Sequence, residues 1–129
     1  MPTAQALIID DNTNNILVLQ QLLKLEGVGS VALASTANLA ESLNAFEDIN
    51  IVFLDLEMPK SDGYKSLPII KSHPNFRDAR VIAYSVHANE MHNALDLGFD
   101  GFLGKPLSAE LFPDHLARIL RGERVRYIP

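Results

Sequence analysis

Short apolar runs punctuate this chain, and each stops on a polar or turn-forming residue. Ala6-Leu7-Ile8-Ile9 runs into Asp10-Asp11, Ile51-Val52-Phe53-Leu54 into Asp55, and Arg80-Val81-Ile82-Ala83-Tyr84 into Ser85; Gly101-Phe102-Leu103-Gly104 runs into Lys105-Pro106. Unbroken apolar runs of this length suit strands covered on both faces, as in a parallel sheet. Ser30-Val31-Ala32-Leu33-Ala34 reads as one more strand. Between the runs the period changes to that of a helix. Ile16, Leu19, Leu22 and Leu23 follow the capping types Asn12, Thr13 and Asn14 and end at Gly27 and Gly29. Thr36 through Phe46 carries Leu39, Ala40 and Leu43 on one face.

Gly63 to His73 predicts a third helix, with Pro68 in its first turn or kinking it. Ala88 to Leu97 predicts a fourth, stopped by Gly98, and Ser108 caps a last helix with Leu111, Leu116, Ile119 and Leu120 inside. Strand and helix alternate from end to end, and the right-handed crossover rule then leaves a doubly wound α/β sheet of five parallel strands, one domain over residues 1–129.

Ligands of such sheets lie beyond the carboxyl ends of the strands, so Asp10, Asp11, Asp55, Ser85 and Lys105 converge. Clustered acids repel and raise each other's pKa unless a cation joins them. Oxygen donors without His or Cys favour Mg²⁺ or Mn²⁺, whose open coordination positions accept phosphate oxygens. Each residue also has a plainer reading. Asp10-Asp11 can be a helix cap with favourable dipole charge, Asp55 a turn residue, Lys105 a surface lysine and Ser85 a cap for the next segment.

Composition narrows the classes. With 129 residues, 47% of them hydrophobic, the chain is a folded domain rather than a disordered one. It has no cysteine, which excludes disulfides and thiolate metal sites. A net charge of −5 disfavours nucleic acid as a partner of this domain. No apolar stretch approaches the roughly 20 residues that span a bilayer, so a soluble, cytoplasmic protein without membrane contact is expected. The four histidines read as solvated or capping groups: His87 and His92 lack the spacing that puts two ligands on one helix face, and His73 precedes Pro74 at a helix end.

Leu7-Ile8-Ile9-Asp10-Asp11-Asn12, then Phe53-Leu54-Asp55 with Met58-Pro59 and Asp62-Gly63, then Lys105-Pro106, resemble in order and over essentially the whole chain the receiver domain of bacterial two-component response regulators. Each motif alone is weak; in this order they are specific. The resemblance implies a flavodoxin-like (βα)5 fold with strand order 2-1-3-4-5, chemotaxis-regulator-like. It implies that Asp55 is phosphorylated by a sensor histidine kinase, a histidine phosphotransfer protein or a small donor. Asp11, Asp55 and the backbone carbonyl of Glu57 would bind Mg²⁺ directly, and Asp10 through water. Lys105 would pair with the phosphoryl oxygens and Ser85 would hydrogen-bond them. Phe102 matches an aromatic switch position, expected to turn inward after Ser85 and remodel the face of the fourth helix, fifth strand and fifth helix for an output protein. The Lys105–Pro106 bond is expected to be cis.

So read, the chain is a timed signalling switch that catalyses only its own phosphorylation and dephosphorylation, not an enzyme. Ser85 stands where threonine is more frequent, and Val86-His87 where a small residue often follows, which implies slower access to the phosphate. Asn12 and Asn15 resemble receivers of hybrid kinases and single-domain regulators. Two alternatives stand beside this one. A haloacid-dehalogenase-type phosphohydrolase also uses an aspartate after an apolar strand with an acid two positions on, but expects aspartate where Glu57 stands, and a cap domain. A pseudo-receiver that is never phosphorylated would not need the full set of Asp10, Asp11, Asp55, Ser85 and Lys105.

Overall fold

The computed structural model describes residues 4–59 and 61–129. Its strands are β1 (Gln5–Ile9), β2 (Gly29–Leu33), β3 (Ile51–Asp55), β4 (Arg80–Ser85), β5 (Gly101–Gly104) and β6 (Val125–Tyr127), paired in one sheet in the order β2-β1-β3-β4-β5-β6. All five pairings are parallel. The helices are α1 (Thr13–Leu25), α2 (Leu39–Ser42), α3 (Gly63–Ser72), α4 (Met91–Asp96) and α5 (Phe112–Leu120). The flavodoxin-like order 2-1-3-4-5 is therefore present, with a strand added at its far edge. Among the described residues no helix is long and apolar enough to cross a membrane.

Strand residues alternate between two cores, as the period of two requires. Leu7, Ile9, Val52, Leu54, Val81, Ala83 and Phe102 face α2, α3 and α4 through Leu39, Leu67, Ile70 and Ala94. Ala6, Ile8, Ile51, Phe53, Ile82, Tyr84 and Leu103 face α1 and α5 through Leu19, Leu23, Phe112 and Leu116. Burying a side chain of this size contributes about 1.5–3 kcal/mol against leaving it in water, so the two cores fix strand register. A slip of one residue would carry every apolar group of a strand to the wrong face. Asn12 caps α1 by accepting from the Asn15 amide at 3.0 Å, and Gly27, at φ +76°, closes it.

The sixth strand was not expected from the sequence. Val125-Arg126-Tyr127 lacks an apolar run, and contacts elsewhere in the fold hold it against β5. The Arg124 guanidinium donates to the carbonyls of Leu95 and Phe99 at the end of α4, and Arg118 and Arg121 hold Glu123. Gly101 and Gly104 let the tail approach: a Cβ at Gly101 would stand 3.0 Å from the Val125 carbonyl oxygen, and one at Gly104 2.6 Å from Pro129 Cδ.

Several helices differ from expectation. The second shrinks to α2 and a 3-10 turn over Leu43–Ala45, starting at Asn38 in a left-handed conformation. The fourth begins as a 3-10 turn over Ala88–Glu90 before α4. Pro68 lies inside α3 rather than in its first turn, and because proline has no N–H, Tyr64 lacks its usual i+4 donor there. Ser108 caps only a turn, accepting from the Leu111 amide, and α5 starts later, at Phe112. Its buried face is consequently Phe112, His115, Leu116 and Ile119, while Leu111 and Leu120 are exposed. His115 is thus a core residue, not a solvated or capping one. His73 does cap, accepting from the Asn75 amide through Nδ1, and His87 and His92 are exposed.

Candidate functional site

The alternation that builds the two cores also sorts the polar residues at the carboxyl edge of the sheet. Asp10 continues the parity of Ala6 and Ile8, and Asp55 that of Ile51 and Phe53. Tyr84 is the register partner of Asp55, and Lys105 continues the parity of Leu103. These four side chains therefore stand over the α1–α5 side. Ser85 and Phe102 have the opposite parity and stand over the α3–α4 side, Phe102 paired with Ala83 and Ser85 with Gly104.

Asp55 is 3% exposed. Its Oδ1 accepts from Lys105 Nζ at 2.8 Å and from the Glu57 amide at 2.9 Å. Burial pushes its carboxyl up to about 6 and the charge of Asp10 adds to this, while Lys105 and the Glu57 amide pull the other way. Asp10 is fully buried, accepting from the Asn12 amide at 2.9 Å and from the Tyr84 hydroxyl. Asp11 is exposed, yet one carboxylate oxygen from each of Asp10, Asp11 and Asp55 lies within 4.8 Å of the others.

This donor set fits a hard divalent cation. The carboxylates of Asp10, Asp11 and Asp55 cluster beside the Lys105 ammonium, all donors are oxygen, and the exposed Asp11 leaves the cluster open on one side. Asp11, Asp55, Lys105 and Val86 line an open cleft of about 560 Å³. A larger hollow, about 1160 Å³, lies at the opposite edge of the sheet among Gln5, Asn50 and Arg80, away from the acids.

The side chains of Tyr84, Glu57 and Glu90 join the site although none of them ends an apolar run. Tyr84 donates to Asp10, and its ring face lies 4.5 Å from Lys105 Nζ, so one side chain holds both an acid and the cation. Burial first, then the bond to Asp10, push its phenol far above the ordinary tyrosine value, which keeps it a donor. Its parity with Asp55 was the available signal. The Glu57 carboxylate accepts from the Val86 amide at 2.6 Å and comes within 3.8 Å of Lys105 Nζ, while its other oxygen is buried and finds no partner among the described residues.

Ser85 is not turned toward Asp55. It donates to Glu90 Oε2 at 3.0 Å and accepts from the His87 amide at 2.9 Å. Phe102 is fully buried in the α3–α4 core, where the small Ala83 beside it leaves room, so the expected inward turn has no outward starting point here. The Lys105–Pro106 bond is cis.

A family model for the response regulator receiver domain matches residues 6–117. The osmosensing histidine protein kinase of Saccharomyces cerevisiae is 30% identical to the chain over 81% of its length, which is 9% of that kinase. The sensor histidine kinase GacS of Pseudomonas protegens is 35% identical over 81% of the chain and 12% of that protein. The chain thus spans about a tenth of the length of these curated relatives. Among solved structures, a CheY-like receiver domain from Methylobacillus flagellatus superposes with a TM-score of 0.80 at 24% identity, over 92% of this chain and 99% of that one. The receiver domain of a sensor histidine kinase from Pseudomonas aeruginosa, which has a magnesium ion coordinated in its active site cleft, gives 0.74 at 24%, over 93% and 96%. The family match runs from the second residue of β1 into the middle of α5 and takes in every strand that ends on the cleft; the chain belongs to the response regulator receiver domains of two-component phosphorelay signalling.

Proposed function

We propose that Asp55 is the phosphoacceptor of this receiver and that its donor is the phosphohistidine of a sensor histidine kinase or of a histidine phosphotransfer protein. The observation that carries this reading is the pairing of a buried Asp55 with Lys105 at 2.8 Å beside two further acids. Oδ1 of Asp55 already accepts two hydrogen bonds, which leaves Oδ2 as the attacking atom. Its lone pair forms the P–O bond as the P–N bond to the donor imidazole breaks. That electron pair returns to the ring nitrogen, and the product is an acyl phosphate. Lys105 balances the transferred charge. Water later cleaves the acyl phosphate to inorganic phosphate and restores the carboxylate, so the domain is a timed switch rather than an enzyme acting on a released substrate.

Asp11, Asp55 and the Glu57 backbone carbonyl would hold Mg²⁺, with Asp10 acting through water; Mn²⁺ meets the same oxygen donors. The ion supplies positive charge against the acids and a coordination position for a phosphoryl oxygen. Ser85 is the hydroxyl that would turn to the phosphoryl group, and Phe102 the core side chain whose packing that motion would disturb. Val18 on α1 and Val86 after β4 are 56% and 57% exposed and both line the cleft, an apolar rim suited to the helix of a phosphohistidine partner. We take the domain to fill residues 1–129, because β6 extends the sheet past the matched segment. We also take the domain to be a cytoplasmic signalling module whose output is a protein contact; its acidic balance disfavours the phosphate contacts that nucleic acid or an anionic membrane surface would require.

Intact-mass measurement with acetyl phosphate and Mg²⁺ tests this. One phosphoryl group should be added to the unsubstituted chain and none to Asp55→Asn. Equal gain by Asp55→Asn would assign the nucleophile elsewhere, and no gain by the unsubstituted chain would favour a pseudo-receiver.

A further inference from the structure

Ser85 has one hydroxyl proton, and Glu90 takes it. The bond from Ser85 Oγ to Glu90 Oε2 is 3.0 Å, and the remaining side of Oγ accepts the His87 amide at 2.9 Å. Glu90 is fixed from its far side as well, because the Tyr64 hydroxyl, in the first turn of α3, donates to Oε1 at 3.2 Å. The Tyr64 ring in turn packs edge-on against Phe99, with centroids 6.1 Å apart. A chain of contacts thus runs from the end of β4 through the start of α4 to α3 and the approach to β5.

Two physical consequences follow. A hydroxyl donates once, so Ser85 cannot bond Glu90 and an oxygen carried by Asp55 at the same time. Among the described residues Glu90 also makes no ion pair, so its carboxylate is held by these two hydroxyls alone. An anion arriving on Asp55 therefore takes away one of its donors and repels it.

We propose that Glu90 is a positioning residue that holds the Ser85 hydroxyl in the resting arrangement and competes for it with an anion on Asp55, Tyr64 being the anchor of Glu90. The proposal rests on reading Ser85 as a ligand of the phosphoryl group. Glu90 is the last residue of the 3-10 turn that leads into α4, so release of Ser85 frees the start of that helix. Loss of this competitor should favour the anion-bound state.

The test is a double-mutant cycle on the full chain, read as the affinity for beryllofluoride in the presence of Mg²⁺, followed by amide chemical shifts. A hydrogen bond to a charged acceptor is the contact removed, and Glu90 is half-buried, so Glu90→Ala should tighten binding about five- to tenfold. Glu90→Gln, which keeps an acceptor and drops the charge, should fall between, and Tyr64→Phe should shift affinity the same way by about twofold. In a Ser85→Ala background, Glu90→Ala should change affinity less than about twofold. An equal effect of Glu90→Ala in both backgrounds is what a merely structural role at the start of α4 gives, and it would overturn the proposal. No effect with Ser85 present would overturn it too. If the unsubstituted chain takes no beryllofluoride at all, the phosphoacceptor reading fails first and the proposal falls with it.

Discussion

Replacing Asp55 by asparagine should stabilise the metal-free protein. Burial raises the carboxyl of Asp55 to about 6 from its ordinary 3.8. At 1.36 kcal/mol per pH unit, keeping it ionised at pH 7.5 costs the folded state about 3 kcal/mol. Asparagine has the same shape, and its oxygen still accepts from the Glu57 amide and Lys105. Lys105, only 13% exposed, gives up a charged partner in exchange, so roughly half the gain, about 1.5 kcal/mol, should survive. For a domain of this size that is about 3–8 °C in Tm. The sign with pH follows from linkage: the folded protein binds this proton more tightly than the unfolded chain. The contribution of Asp55 is therefore least unfavourable below pH 3.8 and worsens as pH rises to about 6. Urea melts in EDTA at pH 7.5, 6 and 4.5 would show the advantage of Asp55→Asn shrinking toward acid. Added Mg²⁺ should stabilise the unsubstituted chain and leave the variant nearly unmoved. A variant no more stable at pH 7.5, or an advantage that ignores pH, would refute the burial argument.

Asp11→Ala removes a carboxylate from the open side of the cluster and should weaken Mg²⁺ binding at least about tenfold by calorimetric titration. His115, 9% exposed, has its pKa lowered chiefly by burial. The unfolded chain then takes up that proton first as pH falls below 6.5, stability drops over that range, and His115→Gln should flatten the extra slope in urea midpoints taken between pH 7.5 and 5. Val18→Glu should slow phosphotransfer from a phosphohistidine protein more than about tenfold, because it places an unpaired charge in an apolar contact, while the acetyl phosphate rate by intact mass stays the same.

The acids were legible because a strand in a parallel sheet announces itself by an unbroken apolar run, and the residue that ends the run must lie at the sheet edge. Asp10, Asp55, Ser85 and Lys105 each end such a run, and the edge gathers them. Tyr84 was hidden for the same reason: within its run it counts as one more large apolar residue, and only register against Asp55 shows that its hydroxyl reaches Asp10. β6 was illegible because its three residues, two of them Arg126 and Tyr127, carry no period, and their pairing depends on two glycines more than twenty residues earlier. In α5 Ser108 has the residue type of a cap but closes only a turn, so counting the helix from it gives the wrong phase. Pro113, suited to a first turn, marks the true start and turns Phe112 and His115 inward.

The parity of β4 decides how charge at this edge can reach the rest of the fold. Tyr84 points to the α1–α5 side and is held there by Asp10 and Lys105, so it cannot follow a change at its neighbour without breaking a buried bond. Ser85, the next residue, points to the opposite side, where its only side-chain partner among the described residues is the half-buried Glu90. Of the two consecutive residues, then, one is a fixed post and the other a movable contact. A perturbation at Asp55 meets little resistance through Ser85 and much through Tyr84, which directs it toward α4 and α3 and away from α1 and α5. At the far edge β6 closes β5, and Arg124 grips the carbonyls at the end of α4. The start of α4 is therefore the end free to respond, because the other end is tied to the sheet by the tail.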